Sequence, residues 1–380
     1  MQQILIGGIF AFIVTLLVIP VIILVAKKKK LYDEPDDKRK LHKQPIPSLG
    51  GLGMFIGFIL SILLTVNFAK EAPEFQFYVV ALLIIFFLGI KDDIMILSPA
   101  KKFAGQLITA GILIFKANLV ISNMHGFLGF YAIPVEASYL LTVFAIVVII
   151  NAFNLIDGVD GLAGGLGLIS SLVFGIFFLV NGDIPYAVLG FAFAGSLLAF
   201  LYYNFHPAKI FMGDTGSLMV GLINTILVIK FIQSGASYQL HPVMAAPAVG
   251  FGILFLPLMD TLRVFGLRIM NGRSPFSPDR THVHHLLLNR GFSHKQVTLA
   301  CAGISVAVSI IAFYLQFLGT GLLIGVLASI FFSLIYLLHF KKYTYKLRVI
   351  KGEMPAVVPE TGDVRLVPLY EKKTAMVEEE

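Results

Sequence analysis

Only 22 of the 380 residues are Asp or Glu, yet several of them crowd short glycine-containing segments that end apolar runs. Asp92 and Asp93 close the run 75–90. Asp157 and Asp160 lie in Asn154-Leu-Ile-Asp-Gly-Val-Asp-Gly-Leu-Ala-Gly, Asp214 lies in Phe211-Met-Gly-Asp-Thr-Gly-Ser, and Asp260 sits inside a long apolar run. A carboxylate within a membrane-spanning helix costs about 2.5–3.5 kcal/mol on insertion scales, so such a residue needs a partner or a task. Singly, these residues also read as helix caps, Asp160 before the run 161–180 and Asp214 before the run 216–233. Together they fit a site for Mg²⁺, which takes one or two carboxylates plus substrate phosphates. A divalent cation also relieves the mutual repulsion of neighbouring carboxylates. The glycines at 158, 161, 164, 165 and 167 allow close approach to a ligand at a helix start, where free N–H groups favour an anion. They serve equally well for close helix packing.

Basic groups accompany the acids. The segment Asn271-Gly-Arg-Ser-Pro-Phe-Ser-Pro-Asp-Arg-Thr-His-Val-His-His places Arg273 and Arg280 before His282, His284 and His285. That histidine spacing is not the His-x₃-His of one helix face, and the chain has a single cysteine, Cys301, so a zinc site built on this segment is disfavoured. Cationic and imidazole groups beside a carboxylate ring suit phosphates. Phosphoryl transfer needs chiefly positioning and charge neutralisation, and this set supplies both.

The elements that carry these residues are membrane helices. Hydrophobic residues make up 57% of the chain, charged residues 13%, and the mean hydropathy is +0.88. Soluble domains carry roughly 25% charged residues. This composition excludes disordered, nucleic-acid-binding and disulfide-built proteins as the main body. Eleven apolar runs are visible, at 4–26, 49–69, 75–90, 103–117, 137–153, 161–180, 185–203, 216–233, 243–268, 297–317 and 319–340. Most approach the ~20 residues of a helical span, and none alternates as the strands of a membrane barrel do. The expected fold is an all-α polytopic membrane protein of about eleven transmembrane helices, with the N-terminus outside and the C-terminus cytoplasmic. In that arrangement only Lys70, Lys116 and Lys230, of 29 Lys and Arg, fall on the outer side, as the positive-inside rule requires. Residues 1–340 form the transmembrane catalytic unit with its active-site loops on the cytoplasmic face. Residues 341–380 form a cytoplasmic tail.

Five segments, in order, resemble the polyprenyl-phosphate N-acetylhexosamine-1-phosphate transferases. They are Lys43-Gln-Pro-Ile-Pro-Ser-Leu-Gly-Gly, Gly89-Ile-Lys-Asp-Asp, Asn151-Ala-Phe-Asn-Leu-Ile-Asp-Gly-Val-Asp-Gly-Leu-Ala, Asn204-Phe-His-Pro-Ala-Lys-Ile-Phe-Met-Gly-Asp-Thr-Gly-Ser-Leu and Ser274-Pro-Phe-Ser-Pro-Asp-Arg-Thr-His-Val-His-His. The prenyltransferase motif Asp-Asp-x-x-Asp fails at Ile96, and the phosphatidyl-alcohol transferase motif fails because Asp157-Gly is not followed by Ala-Arg. Val283 interrupts the histidines, which is closer to the UDP-GlcNAc branch than to the muramoyl-pentapeptide branch with three consecutive histidines.

The resemblance implies transfer of GlcNAc-1-phosphate from UDP-GlcNAc to undecaprenyl phosphate, giving GlcNAc-diphospho-undecaprenol and UMP. That reaction is a first membrane step towards a cell-surface polysaccharide. It implies Mg²⁺, or Mn²⁺ in its place, held by Asp93 or Asp214, with Asp92 orienting or deprotonating the lipid phosphate. Asn154, Asp157 and Asp160 match the nucleotide-binding segment, the two aspartates within the catalytic set. His282 joins that set, and with His284 and His285 contacts the diphosphate or sugar. Lys43, Lys102, Asn204 and Arg273 complete the substrate contacts. The implied partners are a nucleotide-sugar donor, a polyprenyl-phosphate acceptor, the membrane and a second copy of the chain, with no nucleic acid. Another UDP-N-acetylhexosamine or UDP-MurNAc-pentapeptide as donor is the alternative within this chemistry. A transporter using Asp260 is the alternative outside it, although Arg263, one turn along, is an obvious partner for that carboxylate.

Overall fold

A computed structural model of the chain describes residues 1–29, 46–273 and 281–340. Lys43 and the tail 341–380 lie outside the described residues, as do Ser274–Arg280 of the histidine segment. Thirteen helices follow one another among the described residues. They are α1 (Gln2–Lys29), α2 (Gly50–Thr65), α3 (Phe75–Met95), α4 (Pro99–Phe115), α5 (Val135–Ile156), α6 (Leu162–Val180), α7 (Ile184–Asn204), α8 (Gly213–Ser234), α9 (Ala246–Ile253), α10 (Phe255–Met270), α11 (Val283–Leu288), α12 (His294–Tyr314) and α13 (Thr320–Phe340). Seven are long and apolar enough to cross a bilayer, and the bent pair α9–α10 would make an eighth span. Helix α1 turns Leu5, Ile9, Leu17 and Leu24 outward. Such apolar surface is soluble only in lipid, and the chain is a multi-pass membrane protein.

Each apolar run of the sequence is helical, with two corrections to the expected fold. The run 243–268 is not one straight span. It breaks at Leu254, where α9 and α10 meet at 87°. Pro257 has no N–H to offer the Ile253 carbonyl, and its ring crowds that oxygen, so the helix cannot continue through the turn. The all-α reading also omits a hairpin. Strands β1 (Asn123–Phe127) and β2 (Phe130–Ala132) pair antiparallel between α4 and α5, too short to register as alternation.

Helix α8 is the axis of the bundle. It is buried along nearly its whole length and packs on α2, α3, α5 and α6. Lipid tails are as apolar as Leu, so membrane helices associate through close packing over small residues. A Cβ on Gly221 of α8 would stand 2.5 Å from the Ile150 Cα of α5, and one on Gly195 of α7 2.2 Å from the Gly8 carbonyl oxygen of α1.

The polar ends of the bundle differ. At the end that holds the α3, α7 and α9 N-termini, Tyr78, Tyr186 and Glu74 share hydrogen bonds of 2.8 and 2.9 Å, and the Tyr238 hydroxyl donates to Asp183 at 2.7 Å. These groups satisfy one another. The opposite end collects the C-termini of α3, α5 and α7 and the N-termini of α4, α6, α8 and α12, and it carries the acidic segments.

Gly195→Ala should destabilise the protein by about 1–3 kcal/mol through overpacking. Gly111→Ala, with no atom within 4 Å of the new Cβ, should leave stability unchanged or raise it by about 0.5–1 kcal/mol. Thermal unfolding of the two variants in detergent measures the contrast.

Candidate active site

Two sequence segments build the wall of the site by pairing their backbones. Phe211 N–H donates to the Pro47 carbonyl at 2.7 Å, and Gly50 and Gly51 N–H donate to Phe211 and Met212 carbonyls at 2.9 Å each. This clamp ties the start of α2 to the start of α8. Gly213 there has φ +69°, and a Cβ would meet the Ser48 carbonyl at 2.2 Å, so only glycine fits.

Asp93 then fixes α8 to α3. Its carboxylate accepts Asp214 N–H at 2.6 Å, Thr215 N–H at 3.1 Å and the Thr215 hydroxyl at 2.5 Å. The free N–H groups of the α8 N-terminus are thus met by a carboxylate from another helix. Asp214 does not cap its own helix. Its side chain points away, accepting from Asn154 Nδ2 at 3.1 Å and pairing with Lys102. Asp160 likewise does not cap α6, whose N-cap is the left-handed Gly161. Both capping expectations are corrected in favour of side chains that face a cavity.

Asp92, one residue before Asp93, faces a different way. It accepts Leu97 N–H at 2.5 Å and pairs with Lys102 Nζ at 2.5 Å. Lys102, one turn into α4, therefore bridges Asp92 and Asp214. The ammonium stands between the two carboxylates, where a cation is most favoured.

The cavity has a volume of about 480 Å³. Asp92, Asp93, Asn154, Asp157, Asp160, Asn204, Asp214 and His285 of the expected site residues all line it, together with Ser48 and His294. Lys102 borders it through its ion pairs. Asn204 works in the wall, accepting Gly161 N–H and donating to the Ile210 carbonyl, both at 2.8 Å. Enclosure, and then the charges of Asp214, Asp93 and Asp160, push the Asp157 carboxyl up to about 8. Asp160 goes the other way. Burial opposes its ionisation, but His294 and His206 beside it hold it below the usual carboxylate range.

The three motif histidines are divided. His282 and His284 are buried, and of the three only His285 lines the cavity. His282 Nδ1 lies 2.7 Å from Asp260, which also accepts Val283 N–H and Arg263, each at 3.0 Å. The Asp260–Arg263 pair anticipated from their spacing is present, and His282 completes it. His284 packs under Gly158, where a Cβ would come within 2.4 Å of its Nε2. Burial, and then His285, lower its pKa to about 3, so the ring is neutral. Arg273 is exposed and does not line the cavity. Sequence reasoning did not single out His206 and His294. The capping box at Ser293 and Gln296 was the available signal for the start of α12.

Oxygen donors of several carboxylates in one cavity match the hard-ligand preference of Mg²⁺. The same carboxylates repel any phosphate unless a cation intervenes. The site thus suits a metal–diphosphate complex better than a free anion.

The glycosyl transferase family 4 model matches residues 75–232. The chain is 34% identical over 320 residues to a decaprenyl-phosphate N-acetylglucosaminephosphotransferase of Mycobacterium leprae, covering 79% of this chain and 80% of that one. It is 35% identical over 324 residues to a probable undecaprenyl-phosphate N-acetylglucosaminyl 1-phosphate transferase of Bacillus subtilis, covering 83% and 86%. It is 31% identical over 302 residues to an undecaprenyl-phosphate alpha-N-acetylglucosaminyl 1-phosphate transferase of Escherichia coli O157:H7, covering 77% and 79%.

Two outcomes follow from the electrostatics. Unfolded, Asp157 ionises near ~3.9; folded, near 8. Between those values the folded state keeps a proton the unfolded state has lost, so this group erodes stability as pH rises from about 4 to 8. Asp157→Asn should therefore gain in melting temperature over wild type between pH 5 and pH 8 in metal-free buffer, and an equal difference at both pH values would contradict the shift. Asp260→Ala leaves Arg263 and His282 without their shared carboxylate and should cost about 3–5 kcal/mol, read as a lowered unfolding midpoint.

Proposed function

The chain belongs to glycosyl transferase family 4, the polyprenyl-phosphate N-acetylhexosamine-1-phosphate transferases, and on that premise we propose that it moves GlcNAc-1-phosphate from UDP-GlcNAc to undecaprenyl phosphate. It is an enzyme of phospho-sugar transfer. The observation that carries the substrate proposal is the carboxylate-lined cavity at one end of a membrane bundle, in a chain similar to transferases named for that sugar and that class of lipid.

In this reading an oxygen of the lipid phosphate attacks the sugar-bearing phosphorus of the donor. The new phosphorus–oxygen bond forms as the bond to the bridging oxygen breaks, and UMP departs with that oxygen. Asp92 positions the lipid phosphate, with Lys102 as counter-charge. Asp214, presented by the Asp93 brace, would hold Mg²⁺, or Mn²⁺ in its place, and the ion would supply charge neutralisation on the diphosphate. Asn154, Asp157 and Asp160 flank the nucleotide, and His285 faces the transferred group. Eleven spans with the N-terminus outside would put this cavity on the cytoplasmic face of the cell membrane, where a nucleotide sugar is available, and the product would feed a surface polysaccharide. A second copy of the chain is the proposed partner within the membrane.

Purified protein in detergent should release UMP only when UDP-GlcNAc, undecaprenyl phosphate and Mg²⁺ are all present, and EDTA should abolish release. Asp214→Ala and Asp92→Asn should each lower turnover at least ~10²-fold, the scale of losing one key electrostatic contact. Near-normal turnover in both variants would overturn the assigned roles. UMP release with UDP-MurNAc-pentapeptide and none with UDP-GlcNAc would reassign the donor.

A further inference from the structure

A second group of potential ligands stands at the rim of the cavity. Asp160, His206 and His294 each offer one ligand atom, and these atoms all lie within 4.8 Å of one another. His206 Nδ1 is 2.7 Å from Asp160 Oδ2, and His294 Nδ1 is 3.5 Å from Asp160 Oδ1. The two imidazole centroids are 5.1 Å apart. Asp160 comes from the turn between α5 and α6, His206 from the turn after α7, and His294 opens α12.

The three carriers are tied to one another. The Thr298 hydroxyl of α12 donates to the Asp160 carbonyl at 2.8 Å, and Asn204 accepts Gly161 N–H at 2.8 Å. Ala208 N–H reaches Asp160 Oδ2 at 3.3 Å, and the Ser293–Gln296 capping box sets the first turn of α12. These contacts orient the ligands as outer-shell hydrogen bonds do in metalloproteins. His294 Nδ1 is buried and has no hydrogen-bond partner among the described residues. It is one of five buried side-chain atoms so placed among the described residues, and the one whose neighbours include a carboxylate and a second imidazole; a buried nitrogen left without a hydrogen bond is costly.

We propose that Asp160, His206 and His294 form a site for a transition-metal ion of the Zn²⁺ class, distinct from the Mg²⁺ position proposed at Asp214. Imidazole nitrogens favour Zn²⁺, Ni²⁺ or Co²⁺ over Mg²⁺. Two histidines and one carboxylate make a three-ligand set with an open fourth position. Bonds of about 2.0–2.1 Å at tetrahedral angles put ligand atoms roughly 3.4 Å apart. The 3.5 Å from His294 Nδ1 to Asp160 Oδ1 is close to that, while His206 faces the other carboxylate oxygen, Oδ2. The shorter His206–Asp160 contact is a hydrogen bond whose proton the metal replaces on binding. Asp160 and His294 also line the carboxylate cavity, so a bound ion would draw Asp160 away from the cavity's other ligands. The inference concerns metal binding by the chain alone and does not depend on which sugar or lipid the enzyme uses.

The test is Zn²⁺ titration of the full chain in detergent, in competition with a chromophoric chelator and without substrate. One equivalent should bind, and His206→Ala and His294→Ala should each weaken binding at least ~10-fold. Asp214→Ala and His285→Ala should leave the affinity unchanged. X-ray absorption at the zinc edge should show imidazole scattering, and Zn²⁺ should raise the melting temperature of wild type but not of His206→Ala. His206→Gln serves where the alanine variant fails to fold. Absence of stoichiometric binding overturns the proposal. So does binding that survives in both histidine variants, or binding that is lost in Asp214→Ala or His285→Ala while the two histidine variants retain it.

Discussion

The site depends on one carboxylate that is committed to structure. Asp93 accepts hydrogen bonds from the Asp214 and Thr215 N–H groups and from the Thr215 hydroxyl, and so decides where α8 begins. An Asp side chain on the α8 N-terminus itself would ordinarily do this work. Because α3 supplies the oxygen atoms, Asp214 is released to face the cavity while its helix stays capped. The close approach requires Gly89 opposite Thr215, where a Cβ would stand 2.4 Å from the Thr215 Cα, and Gly51 opposite Gly216, where it would stand 2.2 Å from a backbone nitrogen. The segments around Gly51, Gly89 and Asp214 are therefore parts of one joint.

Around that joint the electrostatic problem is an excess of negative charge. Lys102 balances Asp92 and Asp214, and His206 and His294 attend Asp160. Asp157 has no basic partner in hydrogen-bond contact among the described residues and takes up a proton instead, its carboxyl pushed up to about 8. A cavity arranged this way attracts cations and rejects bare phosphate. Binding an anionic diphosphate there requires a cation to enter with it or ahead of it, and the fixed ammonium of Lys102 must give way or share its ligands.

The membrane character and the cluster of acids were legible in the sequence because both are carried by composition and by short contiguous segments. Hydropathy located the helices other than the short α11, with α9 and α10 merged in one run, and Asp92, Asp157, Asp160 and Asp214 each belong to a segment whose glycines and acids stand within a few residues of one another. Other features were not legible, each for a physical reason. The α9–α10 break depends on what Pro257 does to the Ile253 carbonyl in a run that remains uniformly apolar. The β1–β2 hairpin is too short to show a period. The different fates of Asp92 and Asp93 arise because adjacent helical residues point about 100° apart, which adjacency in sequence conceals. His206 and His294 meet Asp160 only through the folding of three separate turns, and spacing along the chain carries no trace of that.

The histidine segment shows best why residue type alone does not assign a role. His282 is fixed by Asp260, a carboxylate within α10 that also holds Arg263 and the Val283 N–H. The start of α11 is thereby bound to α10 just beyond the α9–α10 bend. From there His284 packs against Gly158 as a neutral ring and supports the turn that carries Asp157 and Asp160. His285 is left to face the cavity. The first two histidines are buried, one ring under Gly158 and the other held by Asp260. Among the segment's described residues, His285 is the one that lines the cavity. The intervening Val283, which separates the histidines in sequence, is itself buried, and the rings on either side of it stack with their centroids 5.7 Å apart.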